Sequence, residues 1–185
     1  MLSFEERVHN LDYDSAVAMR YHGKRRSFCE NVAKAGTGLS LILGTAAFAA
    51  VSSKVPEVAA LATGLVAIIN AANLAFGTAD AGRRHGEIFR RWGELRADLA
   101  KITDGDDKSL RALEVTRAKI DAESPTQLDA LSVLCENAEK EMRREEPLYH
   151  VPTLPRLLAN FVDVPGWEPK EVVSAHQQLS AASQH

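Results

Sequence analysis

The sequence predicts an all-α protein, a two-helix transmembrane hairpin whose flanking helices form a small bundle. Residues 35–53 and 58–79 contain no charged side chain, although 25% of the 185 residues are charged. Outside these stretches the apolar residues recur at steps of three and four, and no strand-like alternation of useful length appears. An apolar content of 45% excludes a disordered chain.

The two uncharged stretches match the dimensions of a bilayer. A hydrocarbon core of about 30 Å requires about 20 helical residues, so each stretch is long enough to span it. They are joined only by Lys54-Val55-Pro56-Glu57, a link so short that the helices must be antiparallel neighbours. About thirty mostly polar residues precede the first stretch, which is the wrong layout for a cleaved signal peptide.

A soluble helical bundle with an alanine-rich core is the alternative, because both stretches contain few Leu, Ile or Phe residues. The helices of such a bundle carry charges at the helical period on their outer faces. No charge occurs within either stretch, so we favour the membrane hairpin. Recovery of the protein in the aqueous fraction without detergent would contradict this choice.

Basic residues flank the hairpin on the side away from its turn. They are Arg20, Lys24, Arg25, Arg26 and Lys34 before it, and Arg83, Arg84, Arg90, Arg91 and Arg96 after it, against Lys54 alone in the turn. Because Lys and Arg favour the cytoplasmic side, we expect both termini in the cytoplasm and the hairpin in a bacterial inner membrane. Anionic lipid headgroups explain these clusters more simply than nucleic acid, which we do not expect as a partner.

The predicted parts are an N-terminal cytoplasmic helix (1–34), the hairpin (35–79), a cytoplasmic helical bundle (80–146) and a C-terminal segment with a polar tail (147–185). The first helix is expected from about Asp14. The helix leaving the second span should continue to Asp104-Gly105, followed by helices over 108–121 and from Ser124-Pro125 to Pro147. An apolar stripe at steps of four and three, here called the cytoplasmic seam, is a candidate assembly surface: Ile88, Trp92, Leu95, Leu99 and Ile102.

No catalytic or cofactor motif is present: the sequence lacks a phosphate loop, a dinucleotide fingerprint, HExxH and GxSxG. Cys29 and Cys135 belong to no CxxC pair, and we interpret both as packing residues. His22 and His85 lie beside basic residues without enough neighbouring ligands for a metal. We therefore predict no enzymatic activity, no cofactor and no metal site.

The informative polar residues lie inside the predicted spans. Gly36, Ser40 and Gly44 step by four, an arrangement typical of helix-packing faces. On the second helix, four residues lie within about one quarter of the helix circumference and form a polar stripe: Thr63, Asn70, Asn73 and Gly77. Either this stripe pairs the two helices of one hairpin, or several subunits turn it toward a common axis as a pore lining.

The order of several short motifs resembles the SLATT family. They are Arg20-Tyr21-His22 with Arg25 and Arg26, the hairpin, His85, Arg91-Trp92-Gly93-Glu94-Leu95, the link over 120–125, Cys135-Glu136-Asn137, and residues 157–161. SLATT proteins are two-transmembrane effectors of bacterial defence and conflict systems, thought to form pores.

The resemblance implies a pore-forming effector that acts as a homo-oligomer in the lipid bilayer. No nucleotide-sensing module is visible in the sequence, so we expect the trigger to come from a partner sensor protein or from another ligand. The alternative is a phage- or prophage-encoded anchor for an interaction bundle, for example in superinfection exclusion.

Overall fold

The computed structural model describes residues 2–146 and 148–172 and confirms the all-α fold. The helices are α1 (Phe4–Ser52), α2 (Pro56–Phe76), α3 (Thr78–Leu99), α4 (Asp107–Glu123), α5 (Asp129–Arg143) and α6 (Thr153–Leu158). Two short strands, β1 (Leu148–His150) and β2 (Lys170–Val172), pair antiparallel. The chain divides into two compact units, residues 1–22 with 88–185, and residues 23–87.

The first helix begins ten residues earlier than the expected start near Asp14. Ser3 and Glu6 form a reciprocal capping box. The Glu6 amide donates to Ser3 Oγ at 3.1 Å, and the Ser3 amide donates to Glu6 Oε2 at 2.7 Å. This box satisfies amide groups that have no partner within the helix, so α1 starts at Phe4.

We expected the second span to continue into the following helix, but the structure interrupts it between α2 and α3. Gly77 adopts a left-handed conformation (φ 54°), and its amide donates to the carbonyl of Asn73 at 3.1 Å. Only glycine takes this conformation without a steric penalty. The expected place of Gly77 in the polar stripe is therefore corrected: it separates α2 from α3.

The links between the bundle helices differ in part from the sequence prediction. Asp106 caps α4 by accepting a hydrogen bond from the Ser109 amide at 3.1 Å. The predicted start at Ser124-Pro125 is wrong, since α4 continues to Glu123 and α5 begins at Asp129. The Leu128 amide ahead of α5 is instead held by Tyr21 Oη at 2.9 Å.

The C-terminal segment contains structure that the sequence did not indicate. Leu148 pairs with Val172, and His150 pairs with Lys170. Asn137 on α5 holds β1 through its carboxamide, which binds both the amide and the carbonyl of Tyr149, at 2.8 and 2.6 Å. Helix α5 ends at Arg143, ahead of the stop predicted at Pro147. Of the polar tail predicted from Glu168 to His185, residues 173–185 lie outside the described residues.

The bundle unit, residues 1–22 with 88–185, contains two apolar clusters. The first joins α1, α3 and α4 through Leu11, Ala18, Ile88, Trp92, Leu95, Leu99, Leu110 and Ile120. The second joins α1, α5 and the residue that follows α6, through Tyr21, Ala130, Leu131, Cys135 and Ala159. Burial of these side chains supplies the main driving force for the bundle.

An ion-pair network links α1, α3 and α5 of the bundle. Asp12 accepts hydrogen bonds from Arg96 at 2.7 Å and from Arg143 at 2.6 Å. Glu139, 1% exposed, accepts from Arg20 at 2.6 Å and from Arg143 at 2.9 Å. Loss of one partner from such a buried pair leaves an uncompensated charge, which destabilises a protein by about 3–5 kcal/mol.

This network makes the bundle sensitive to acid. Burial alone would raise the pKa of Asp12 and of Glu139, but hydrogen bonds from the arginines outweigh it and hold both pKa values below their ordinary range. The unfolded values are about 3.9 for Asp and about 4.3 for Glu. The two carboxylates thus stabilise the folded chain above these values, and their contribution is lost as the pH falls through the lower folded pKa values.

We predict that Glu139→Gln lowers the melting temperature of the full chain at pH 7 and weakens its dependence on pH between about 5 and 3. Circular dichroism in mild detergent measures both effects. Glu141→Gln, on the exposed side of the same helix, is the matched control and should behave as the wild type. Equal pH slopes for wild type and Glu139→Gln would contradict the prediction.

Candidate functional site

The two hairpin helices are in close contact where Gly36 of α1 faces Asn73 of α2. A Cβ atom added at Gly36 would lie 2.3 Å from Nδ2 of Asn73, so no larger residue fits there unless Asn73 moves. One turn along, Ser40 Oγ donates to Asn70 Oδ1 at 3.2 Å. These two contacts place Gly36 and Ser40 of the predicted packing face against the polar stripe of α2.

Near the turn of the hairpin the buried residues are also small: Ala50, Ala59 and Ala62. Gly44 is different, because no atom comes within 4 Å of the position that its Cβ would occupy. The predicted packing face therefore includes Gly36 and Ser40, and Gly44 lies outside the contact. The spacing of four drifts around a helix with 3.6 residues per turn, which explains the difference.

The predicted polar stripe divides into three environments. Asn73 is half-buried against Gly36, whereas Asn70 is exposed although it contacts Ser40. Thr63 is also exposed, and its hydroxyl donates to the carbonyl of Ala59 in its own helix at 2.8 Å. The stripe thus supplies both an internal contact and an outward polar edge.

The outer surface of the hairpin is strongly apolar. The exposed large side chains are Leu39, Leu41, Ile42, Phe48, Val51, Val58, Leu61, Leu65, Ile68 and Leu74. Both helices are long and apolar enough to cross a membrane, and almost none of the residues in their most apolar parts are buried. The core helix of a soluble protein buries such residues, so this exposure favours the bilayer over the soluble bundle.

The cytoplasmic seam does not remain available for assembly. Ile88, Trp92, Leu95 and Leu99 are buried in the first apolar cluster of the bundle, and Ile102 packs against it. Helices α1 and α4 cover the seam within the same chain. The prediction that the seam joins subunits is therefore corrected, because a narrow apolar stripe requires one partner helix and the chain provides it.

The histidines and cysteines singled out in the sequence are buried. Burial, reinforced by Arg25 and Arg84, lowers the pKa of His85 to about 4, so this side chain is neutral at physiological pH. Cys29 and Cys135 are buried thiols that form no disulfide, and His22 is also buried. Within the described part of the chain, no three His, Cys, Asp or Glu residues are grouped as metal ligands.

Several of the motif residues quoted for the SLATT resemblance, among them Arg20, Tyr21 and Arg91, lie within the bundle. Arg91 forms an ion pair with Glu123, and Tyr21 and Arg20 bind the start and middle of α5. Comparison of the chain with protein-family models, with curated proteins and with solved structures found no match.

The contact between Gly36 and Asn73 generates a prediction about the hairpin. Gly36→Ala should destabilise the hairpin by about 1–3 kcal/mol, because the added methyl group overlaps the Asn73 carboxamide. A second change, Asn73→Ala, should restore much of the loss by removing the overlapping atoms. The unfolding free energy of the full chain, measured in detergent by titration with dodecyl sulfate, gives these values.

The matched control is Gly44→Ala, which enters open space. It should leave the stability unchanged or raise it by up to about 1 kcal/mol through its greater helix propensity. Equal effects of the two alanine substitutions would contradict a specific contact at Gly36.

Proposed function

We propose that this protein is an oligomeric pore-forming effector of the bacterial inner membrane, acting in defence or conflict. The observation that carries the proposal is the outer surface of the hairpin, where polar Asn70 and Thr63 are exposed on the same helix as Leu61, Ile68 and Leu74. The large apolar side chains suit lipid, and the polar edge suits water or another polar group.

An oligomer follows from the size of the hairpin. Two helices cannot enclose a channel, so a polar lining requires several copies around a common axis. Asn70 and Thr63 are seven residues apart and thus lie on one side of α2. In a ring of subunits they would form a polar band, while the large apolar residues of each copy face lipid.

The distribution of basic residues supports an orientation with both termini in the cytoplasm. Lys34, Arg83 and Arg84 are exposed near the open end of the hairpin, where anionic headgroups attract them. Lys54 is the basic residue of the turn. The resemblance to the SLATT family supports the effector role and a trigger supplied by a sensor protein.

A second function, a phage- or prophage-encoded membrane anchor for the bundle, is favoured by the contacts inside the hairpin. Ser40 bonds Asn70, and Gly36 accommodates Asn73, so both asparagines participate in helix pairing. In that case the bundle binds another protein, for example in superinfection exclusion, and the hairpin only anchors it.

Membrane-potential measurements separate the two functions. In the pore case, expression with the trigger depolarises cells; Asn70→Leu should abolish the leak because it removes the outward polar group, whereas Asn70→Gln should retain it. Asn73→Leu is the control for helix pairing and should weaken the leak less than Asn70→Leu. An unchanged potential and unchanged growth at full induction with the trigger would exclude the pore.

The orientation is tested by cysteine labelling in intact cells. Ser53→Cys, exposed at the turn, should react with a membrane-impermeant maleimide from the periplasm. Ala118→Cys, exposed on α4, should react only after the inner membrane is permeabilised. Cys29 and Cys135 are buried, so the unmodified chain is the blank, and the reverse labelling pattern would contradict the proposed topology.

A further inference from the structure

A cavity of about 300 Å³ lies in the bundle unit, and residues of α1, α3, α4 and α5 line it. We name it the bundle cavity. Its volume is at the lower end of the range for small-molecule sites. The exposed side chain of Asp121 stands at its edge, so a small molecule can enter. The lining includes Tyr13, Asp14, Trp92, Arg117, Asp121 and Glu136.

Two buried hydrogen-bonding groups at the bundle cavity have no partner among residues 2–146 and 148–172. They are Nε1 of Trp92, a residue that is 1% exposed, and the hydroxyl of Tyr13. The indole N–H can donate a hydrogen bond but cannot accept one. Because burial of a donor without an acceptor is unfavourable, the cavity favours an occupant that offers an acceptor to Trp92.

The charged side chains of the cavity favour a cation. Three carboxylates line it, those of Asp14, Asp121 and Glu136, against the guanidinium of Arg117. Arg117 lies 2.9 Å from Asp14 and 3.5 Å from Asp121, and Glu136 pairs with Lys140 at 2.8 Å. Even with Lys140 counted, the carboxylates outnumber the cations by three to two. This excess disfavours an anionic ligand.

The pKa values at the cavity agree with a shortage of positive charge. Burial raises the pKa of Asp14 against the opposing effect of Arg117, and repulsion from Asp121 and Glu136 adds to the rise. A bound cation would offset both the burial and the repulsion. Burial, with Glu136 next in importance, also raises the pKa of Tyr13, so its hydroxyl stays neutral and can donate.

We propose that the bundle cavity binds a small organic cation that also carries a hydrogen-bond acceptor, with an amino alcohol as the simplest example. Its ammonium group binds the three lining carboxylates, and its oxygen accepts from Trp92 Nε1 and from the Tyr13 hydroxyl. Because four helices contribute to the site, binding stabilises the bundle. The site is separate from the polar stripe of the hairpin, and it does not depend on the proposed pore.

Nuclear magnetic resonance of the full chain in mild detergent tests the site, with aminopentanol as the probe, its amine and hydroxyl at opposite ends. The indole proton of Trp92 should shift downfield because it gains a hydrogen bond to oxygen. The indole proton of Trp167, which packs against the second apolar cluster, is the internal control and should not shift. We expect half-saturation at about 1 mM, which is ordinary for a ligand of so few atoms.

Matched probes and variants separate the two halves of the site. Pentylamine lacks the oxygen and pentanediol lacks the cation, so each should bind at least about fivefold more weakly than aminopentanol. Tyr13→Phe and Glu136→Gln should each weaken aminopentanol by a similar factor. Tyr13→Phe should leave the melting temperature of the unliganded chain unchanged or higher, because the lost hydroxyl has no partner in the described part of the chain. Glu141→Gln, exposed on the same helix as Glu136, should bind as the wild type.

Three results would overturn the site. The first is no shift of the Trp92 signal with any amino alcohol from aminopropanol to aminohexanol at about 10 mM, which is the result for a cavity that holds water alone. The second is an equal response to aminopentanol, pentylamine and pentanediol. The third is unchanged binding of aminopentanol by Tyr13→Phe or by Glu136→Gln.

Discussion

The apolar outer surface of the hairpin is the constraint on which the rest of the account depends. Helices α1 and α2 contact each other through small and polar residues, and this contact leaves side chains such as Phe48 and Leu74 exposed. In water such a surface would drive aggregation or association. A bilayer removes that penalty, and it also turns each polar group on the surface into a requirement for a partner.

The chain uses different chemistry in its two units. The bundle combines apolar clusters with charged pairs, and the buried carboxylate of Glu139 is held by two arginines. The predicted spans contain no charge, and their pairing depends on close approach at Gly36 and on the carboxamides of Asn70 and Asn73. Each set of contacts suits its proposed surroundings, since charged groups are strongly disfavoured in hydrocarbon and small residues allow close helix packing there.

The sequence predicted the parts of the fold that depend on composition and period. The uncharged stretches predicted the hairpin, and apolar residues at steps of three and four predicted the helix that carries Trp92. The predictions that were wrong depend on contacts between residues distant in the sequence. The cytoplasmic seam packs against helices of the same chain instead of another subunit. The helix expected to start at Ser124-Pro125 begins later, where Tyr21 binds the Leu128 amide. Local glycine geometry was also missed, since a spacing of four could not show that Gly44 would face away.

The most direct test of the central claim is the environment of the outer surface of the hairpin in a bilayer. Spin labels at Ile42→Cys and Ile68→Cys, reconstituted in liposomes at low protein density, report collisions with oxygen and with a polar nickel chelate by electron paramagnetic resonance. We expect frequent oxygen collisions and few nickel collisions at both positions, with the reverse at Ser53→Cys in the turn. Nickel accessibility at positions 42 and 68 equal to that at position 53 would contradict a hairpin surrounded by lipid.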